Sequence, residues 1–117
     1  NEQAVHLGHA ADIYNVLAKN SEGDARSRYY DMALRAFGSA LDAVKALNDK
    51  TSEAYIRRSM GNVYGRMGSY PVALAHLNAA HDGFKALGME RERAAVERAI
   101  EATRRFMREE RPTPDGE

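Results

Sequence analysis

Residues 54–88 read AYIRRSMGNVYGRMGSYPVALAHLNAAHDGFKALG, two amphipathic helical patterns on either side of a short Gly-Ser break. In the first, Ile56, Met60, Val63 and Met67 recur at spacings of 4, 3 and 4, which places them on one face of a helix. Gly68 ends that helix, because a residue without Cβ takes the left-handed conformation that satisfies the last helical carbonyls. Ser69 is placed to cap the next helix, and Pro71 falls in its first turn. The second pattern buries Ala73, Leu77, Ala80, Phe84 and Leu87, and Gly88 closes it as Gly68 closes the first. The stretch predicts a helical hairpin with a tight turn.

Working outward, Asn48, Asp49, Thr51 and Ser52 form the break and cap ahead of this hairpin. The segment before them predicts a long helix from Ser21 or Asp24 to about Leu47, with Tyr30, Ala33, Phe37, Ala40, Val44 and Leu47 on one face. Residues 3–19 predict a first helix on the stripe Leu7, Ala11, Tyr14 and Ala18, stopped by NSEGD at 20–24. Beyond Gly88 a fifth helix runs from about Glu90 to Arg111, with Val96, Ala99, Ile100, Thr103 and Met107 on one narrow stripe and Arg and Glu over most of the rest. Pro112 and Pro114 end it. No segment alternates with period two, so no strands are expected.

The pattern is an internal repeat. Sliding the chain by 40 residues lays YDMALRAFGSALDAVKAL (30–47) on YPVALAHLNAAHDGFKAL (70–87), pairing Tyr30/Tyr70, Ala33/Ala73, Leu34/Leu74, Ala40/Ala80, Asp42/Asp82, Lys45/Lys85, Ala46/Ala86 and Leu47/Leu87 as identities. The same shift lays Ala54 and Arg58 on Ala94 and Arg98, so the fifth helix reads as the first helix of a third repeat. Periods of this size signal stacked helix pairs. Within the repeat, Met60-Gly61-x-x-Tyr64, then Gly68 and Tyr70, then Ala73-x-x-x-Leu77 and Ala80 resemble a tetratricopeptide repeat, of the variety with longer helices and a 40-residue period. Gly61 and Ala73 are small so that two helices can approach, and Tyr64 and Leu77 fill the space beside them. Arg57 stands where the family usually has Trp, and no Pro ends the second helix. Tyr14 matches Tyr64 only if the connection to Tyr30 is ten residues longer than that from Tyr64 to Tyr70. The resemblance implies an all-α fold: antiparallel hairpins stacked as a short right-handed α-solenoid of about five helices over residues 1–111, with 112–117 as a linker or tail.

Composition narrows the function classes. The 117 residues suit one domain with one core. With 17 basic and 17 acidic residues, no whole-molecule field draws the chain to nucleic acid or an anionic membrane. The absence of cysteine excludes a disulfide framework and thiolate metal sites and fits a cytoplasmic protein. No run approaches the roughly 18 apolar residues of a membrane span. A first residue other than Met and the ending RPTPDGE are expected of a segment from a larger scaffold or regulatory protein.

In a tetratricopeptide-like stack the first helix of each repeat lines the concave surface. The resemblance therefore directs attention to Tyr55, Arg58, Asn62 and Arg66, at spacings of 3, 4 and 4 on one face of the third helix, to Arg98 and Arg105 with Ala102 on the fifth, and to Asp12 and Asn15 on the first. Arginine supplies paired donors and asparagine grips a backbone amide, so Tyr55, Arg58, Asn62, Arg66, Arg98 and Arg105 form the candidate binding set for an extended or helical peptide carrying acidic groups. The bland alternative is an ordinary solvated helix surface.

Other chemistry finds little support. His6 and His9 share a helix face without a carboxylate to complete a metal set, and His76 and His81, five apart, do not share one. No metal or cofactor is expected. The carboxylates Glu90, Glu92, Glu97, Glu101, Glu109 and Glu110 are interleaved with Arg93, Arg104, Arg105 and Arg108 in the manner of an exposed helix, Glu101 to Arg105 being favourably oriented. Neither a phosphate loop nor a nucleophile-base pair is present, so an enzyme is not expected. Arg104, Arg105, Arg108 and Arg111 lack interleaved exposed aromatics, which argues against nucleic acid. The leading expectation is a module for protein or peptide partners. The alternative is self-association through exposed repeat ends, with the first helix and its long following loop as the open edge.

Overall fold

A computed structural model describes residues 2–110. Among them are five α-helices and no strand: α1 (Glu2–Lys19), α2 (Gly23–Ala46), α3 (Lys50–Arg66), α4 (Tyr70–Ala86) and α5 (Glu90–Glu110). The expected end of α5 at Arg111 and the tail at 112–117 lie outside the described residues. Consecutive helices pack on one another, and α3 also touches α5. The chain thus forms two hairpins, α1/α2 and α3/α4, and α5 takes the place of the first helix of a third, in a slab of 52 × 35 × 20 Å.

Three turns repeat the same bonding. The N–H groups of Asn48 and Asp49 donate to the carbonyls of Lys45 and Val44; those of Gly68 and Ser69 to Gly65 and Tyr64; those of Gly88 and Met89 to Lys85 and Phe84. Each is a Schellman closure with a left-handed residue at its centre, Asn48 at φ 55°, Gly68 at 82° and Gly88 at 71°. Position 48 thus belongs to the same series as the two glycines. Asp49 then caps α3, its carboxylate accepting from the Ser52 N–H at 3.1 Å and the Ser52 hydroxyl at 2.7 Å.

These closures displace three residues assigned to the core by periodicity. Leu47, Met67 and Leu87 are 56, 38 and 39% exposed, because each immediately precedes the left-handed residue, where the chain is already leaving the helix's buried face. The start of α2 falls one residue from the expected Asp24, but without the expected side-chain cap. It begins at Gly23 after an extended Glu22 that makes no side-chain cap, and the Ser21 hydroxyl donates instead to Leu17 O, closing α1.

No long loop follows α1. The connections at 20–22 and 67–69 are equally short, and the ten extra residues are wound into helix: α1 continues to Lys19, five residues past Tyr14, and α2 starts seven before Tyr30. In α3/α4 the helix ends two residues after Tyr64 and the next begins at Tyr70. Ala11 and Tyr14 therefore stand where Gly61 and Tyr64 stand, both Ala11 and Gly61 being buried.

Two apolar clusters hold the stack. One joins Ala11 and Ala18 of α1, Tyr30, Phe37 and Val44 of α2, and Met60 and Val63 of α3. The other joins Ala54 of α3, Leu77, Ala80 and Phe84 of α4, and Val96 and Ile100 of α5. Helix α3 feeds both, which makes residues 54–88 the middle of the slab. Gly61 permits the closest approach, since a Cβ there would lie 2.7 Å from Leu77 Cγ.

Candidate functional site

Helix α3 presents Tyr55, Arg58, Asn62 and Arg66 on one side, as their spacing requires. Tyr55 is anchored in the core by an edge-on contact with Phe84, ring centroids 5.0 Å apart. The Arg58 guanidinium lies over the Tyr55 ring at 5.1 Å, a cation–π contact that fixes a half-buried positive charge. Asn62 and Arg66 are exposed. Arg66 Nη1 donates to Asn15 Oδ1 at 3.0 Å, tying α3 to α1.

Between α3 and α5 lies a cleft of about 490 Å³ lined by Gly61, Asn62, Gly65, Arg66, Tyr70, Ala99, Ala102, Thr103, Phe106 and Glu110. Its cause is legible in side-chain size: Gly61 and Gly65 on one helix and Ala99 and Ala102 on the other cannot fill the space between the two axes. The floor is apolar, and the Thr103 hydroxyl is satisfied by its own helix, donating to Ala99 O at 2.7 Å. One end is walled by Tyr70 and Phe106, stacked at 6.4 Å and 9°, with the Tyr70 hydroxyl donating to Glu110 Oε1 at 2.8 Å. That bond to a carboxylate raises the Tyr70 pKa above the usual phenol value. Asn62 and Arg66 stand on the rim.

A smaller hollow of about 270 Å³ lies between α1 and α3, where Tyr55 and Ile56 face Val5, Gly8, His9 and Asp12. The candidate set is therefore divided. Tyr55 belongs to the α1/α3 hollow, Asn62 and Arg66 to the α3/α5 cleft, and Arg58 lines neither. Arg98 and Arg105 are exposed on α5 but do not line the cleft, whose α5 wall is Ala99, Ala102, Thr103 and Phe106. One residue of offset is about 100° around a helix, enough to turn both arginines away from it.

Sequence reasoning passed over Gly65, Tyr70, Phe106 and Glu110 as site residues. A signal for Phe106 was present: it is a large apolar residue off the buried stripe of an otherwise charged helix, and it is 54% exposed.

No family model, curated protein or solved structure matches the chain.

On α4, the His76 ring stacks on Tyr64 at 5.3 Å and 6°, and its Nδ1 lies 3.4 Å from Arg57 Nη1. Burial, and then the Arg57 charge, hold the His76 pKa below its ordinary value, so the ring is neutral at pH 7. Arg57, at the position where the tetratricopeptide pattern has Trp, thus packs its guanidinium into the α3/α4 seam, with Nε buried and unbonded. Across α4 and α5, His81 Nε2 meets Glu97 at 3.2 Å, and Arg93 bonds both Glu90 and Glu97. The His81 bond, followed by neighbouring positive charges, lowers the Glu97 pKa. Among the described residues, no three His, Cys, Asp or Glu side chains converge as a metal site would require. No helix among them is long and apolar enough to cross a membrane.

Proposed function

We propose that the chain is a protein-interaction module of tetratricopeptide type that seats an extended peptide or helix of a partner protein in the α3/α5 cleft. The observation that supports this reading is the cleft itself: an apolar floor of glycine and alanine, an aromatic end wall and a polar rim of Asn62 and Arg66. An apolar hollow with a few polar groups at its edge orients a ligand while burying its side chains. The floor takes one apolar side chain, the Asn62 amide pairs with a peptide group, and Arg66 favours an acidic neighbour. Arg58, with its guanidinium held on Tyr55, extends positive charge along the same helix. Net neutrality leaves recognition to these local groups. A cysteine-free adaptor of this kind suits the cytoplasm, as one part of a larger scaffold or regulatory protein.

The test is a peptide array in which an aliphatic or aromatic residue is followed by Asp/Glu or by Lys/Arg, with binding measured by fluorescence polarisation and mapped by amide chemical shifts. Acidic peptides are expected to bind and to shift Gly61, Asn62, Gly65 and Ala102. Ala102→Phe, which fills the cleft, is expected to abolish that binding. Binding that survives Ala102→Phe, or shifts confined to α4, would place recognition elsewhere.

A further inference from the structure

We propose that Arg26 and Arg66 form a phosphate subsite beside the α3/α5 cleft, and that the peptide seated in the cleft carries a phosphorylated serine or threonine. The inference rests on the peptide-binding reading above and names the chemistry of the partner.

Where the start of α2 meets the end of α3 lies a hollow of about 240 Å³, lined by Arg26, Ser27, Tyr30, Arg66 and Met67. Ser27 and Tyr30 are three residues apart and Arg26 and Tyr30 four, so these side chains share one face at the start of α2. Two guanidinium groups meet in the hollow, and no carboxylate lines it, although Glu22 and Asp24 are close in sequence. Among the described residues neither arginine is in an ion pair. Each is oriented instead by a neutral acceptor. Arg26 Nη2 donates to the Tyr30 hydroxyl at 3.2 Å, with its guanidinium carbon 5.5 Å from the Tyr30 ring centre. Arg66 Nη1 donates to Asn15 Oδ1 at 3.0 Å. Both charges are positioned without being neutralised, and their other N–H groups are left for a ligand.

Tyr30 is a second, independent sign. The residue is only 2% exposed, and its hydroxyl accepts from Arg26 while donating to no group among the described residues. A buried hydroxyl that accepts without donating has an O–H to offer to whatever fills the hollow it lines. The Ser27 hydroxyl, on the same face, is exposed and also without a partner among the described residues.

This donor set selects the ligand. Two uncompensated positive charges and two hydroxyl groups suit a phosphate monoester, which brings about two negative charges and three acceptor oxygens. A carboxylate brings one charge and two oxygens and would leave donors unused. Arg66 also lines the α3/α5 cleft, so the two spaces adjoin at its side chain. A peptide with an apolar residue on the cleft floor carries its neighbouring residues past Arg66 toward Arg26, at about 3.3 Å per extended residue.

Fluorescence polarisation tests the proposal with peptides that place serine, phosphoserine or aspartate roughly one to four residues from an aliphatic anchor. At the best spacing the phosphoserine peptide is expected to bind at least ~10-fold more tightly than the serine peptide, and more tightly than the aspartate one. Arg26 is exposed and outside the cleft lining. Arg26→Gln should therefore abolish the phosphoserine preference, leave the serine peptide's affinity unchanged and keep the helical circular dichroism. Inorganic phosphate alone is expected to shift the amides of Ser27 and Met67 in the parent and not in Arg26→Gln. Equal affinity for the serine and phosphoserine peptides, or a preference that survives Arg26→Gln, overturns the proposal and leaves the cleft reading intact. Phosphoserine binding undiminished in Ala102→Phe overturns the cleft reading instead and leaves the phosphate subsite standing. Binding to phosphoinositide vesicles without any preference for the phosphoserine peptide would assign the hollow to a lipid headgroup and overturn the proposal as well.

Discussion

Gly61 faces Leu77 so closely that a methyl on its α-carbon would lie 2.7 Å from Leu77 Cγ and 3.2 Å from the carbonyl oxygen of Ala73. Leu77 and Ala73 are both buried and cannot swing aside. Gly61→Ala is therefore an overpacking substitution, costing ~1–3 kcal/mol, offset by up to ~1 kcal/mol of improved helix propensity. A net loss of ~1–2 kcal/mol is expected in urea denaturation. Gly65, one turn on, meets nothing within 4 Å. Gly65→Ala should leave stability unchanged or raise it by up to ~1 kcal/mol, while narrowing the cleft and weakening peptide binding. Opposite stability effects at two glycines one turn apart would separate the residue that allows the fold from the one that leaves space for a ligand.

The three helix closures differ in how well their central residue tolerates a positive φ. Gly68 and Gly88 do so without strain; Asn48 carries a Cβ into the same region. Asn48→Gly should stabilise the chain by up to ~1 kcal/mol, and Gly68→Ala and Gly88→Ala should each destabilise it by ~1 kcal/mol. Thermal melts of the three variants check the ordering, and a neutral Gly88→Ala would show that the α4/α5 turn is not held as described.

His76 makes stability depend on pH in a defined direction. Its pKa in the folded chain lies below the ordinary 6.5 through burial and the nearby Arg57 charge. As pH falls through 6.5 the unfolded chain takes up a proton that the folded chain resists, so stability is lost on acidification and restored above that range. His76→Phe keeps an aromatic ring on Tyr64 and removes the titration; its stability should change less between pH 7 and pH 5 than that of the parent in paired urea titrations. Asp49 acts in a lower window. The Ser52 hydroxyl, then the Ser52 N–H, hold its pKa under 3.8, so its contribution is present above that value and fades below it. Asp49→Asn should remove that lower component and leave the His76 component unchanged.

The hairpins were legible in the sequence because each carries its own punctuation. Gly68, Gly88 and Asp49 are local signals, and the small pair Gly61 and Ala73 announced the close approach borne out at Leu77. Two features depend on the assembled chain and escaped. Periodicity places Leu47, Met67 and Leu87 on the apolar face but cannot register that the helix is ending beneath them. Likewise the extra length between Tyr14 and Tyr30 reads as loop, because NSEGD is rich in turn formers; packing of α1 on α2 winds most of it into helix. At the candidate site, face assignments on α3 placed Asn62 and Arg66 on the cleft rim. On α5 the 40-residue shift carries Arg58 to Arg98, which lies off the cleft, and Asn62 and Arg66 to Ala102 and Phe106, which line it, whereas Arg105 answers to Gly65 and enters the set by its charge.

Arg66 and Asn15 are joined at 3.0 Å across 51 residues of sequence, yet both ends of the bond are accessible to solvent. A charge-assisted bond in that setting contributes little, because water competes for both groups and a long side chain loses rotamer freedom to form it. A double-mutant cycle with Asn15→Ala and Arg66→Ala is expected to give a coupling below ~1 kcal/mol. The consequence for function is that Arg66 can exchange Asn15 for a ligand carboxylate at small cost. Asn15→Ala should then leave stability nearly unchanged and strengthen acidic-peptide binding slightly, since it frees the guanidinium, while Arg66→Ala should weaken binding by ~5–10-fold. Weaker binding in Asn15→Ala would mean instead that the bond holds Arg66 in the orientation a ligand needs, and calorimetric titration of the two single variants distinguishes these roles.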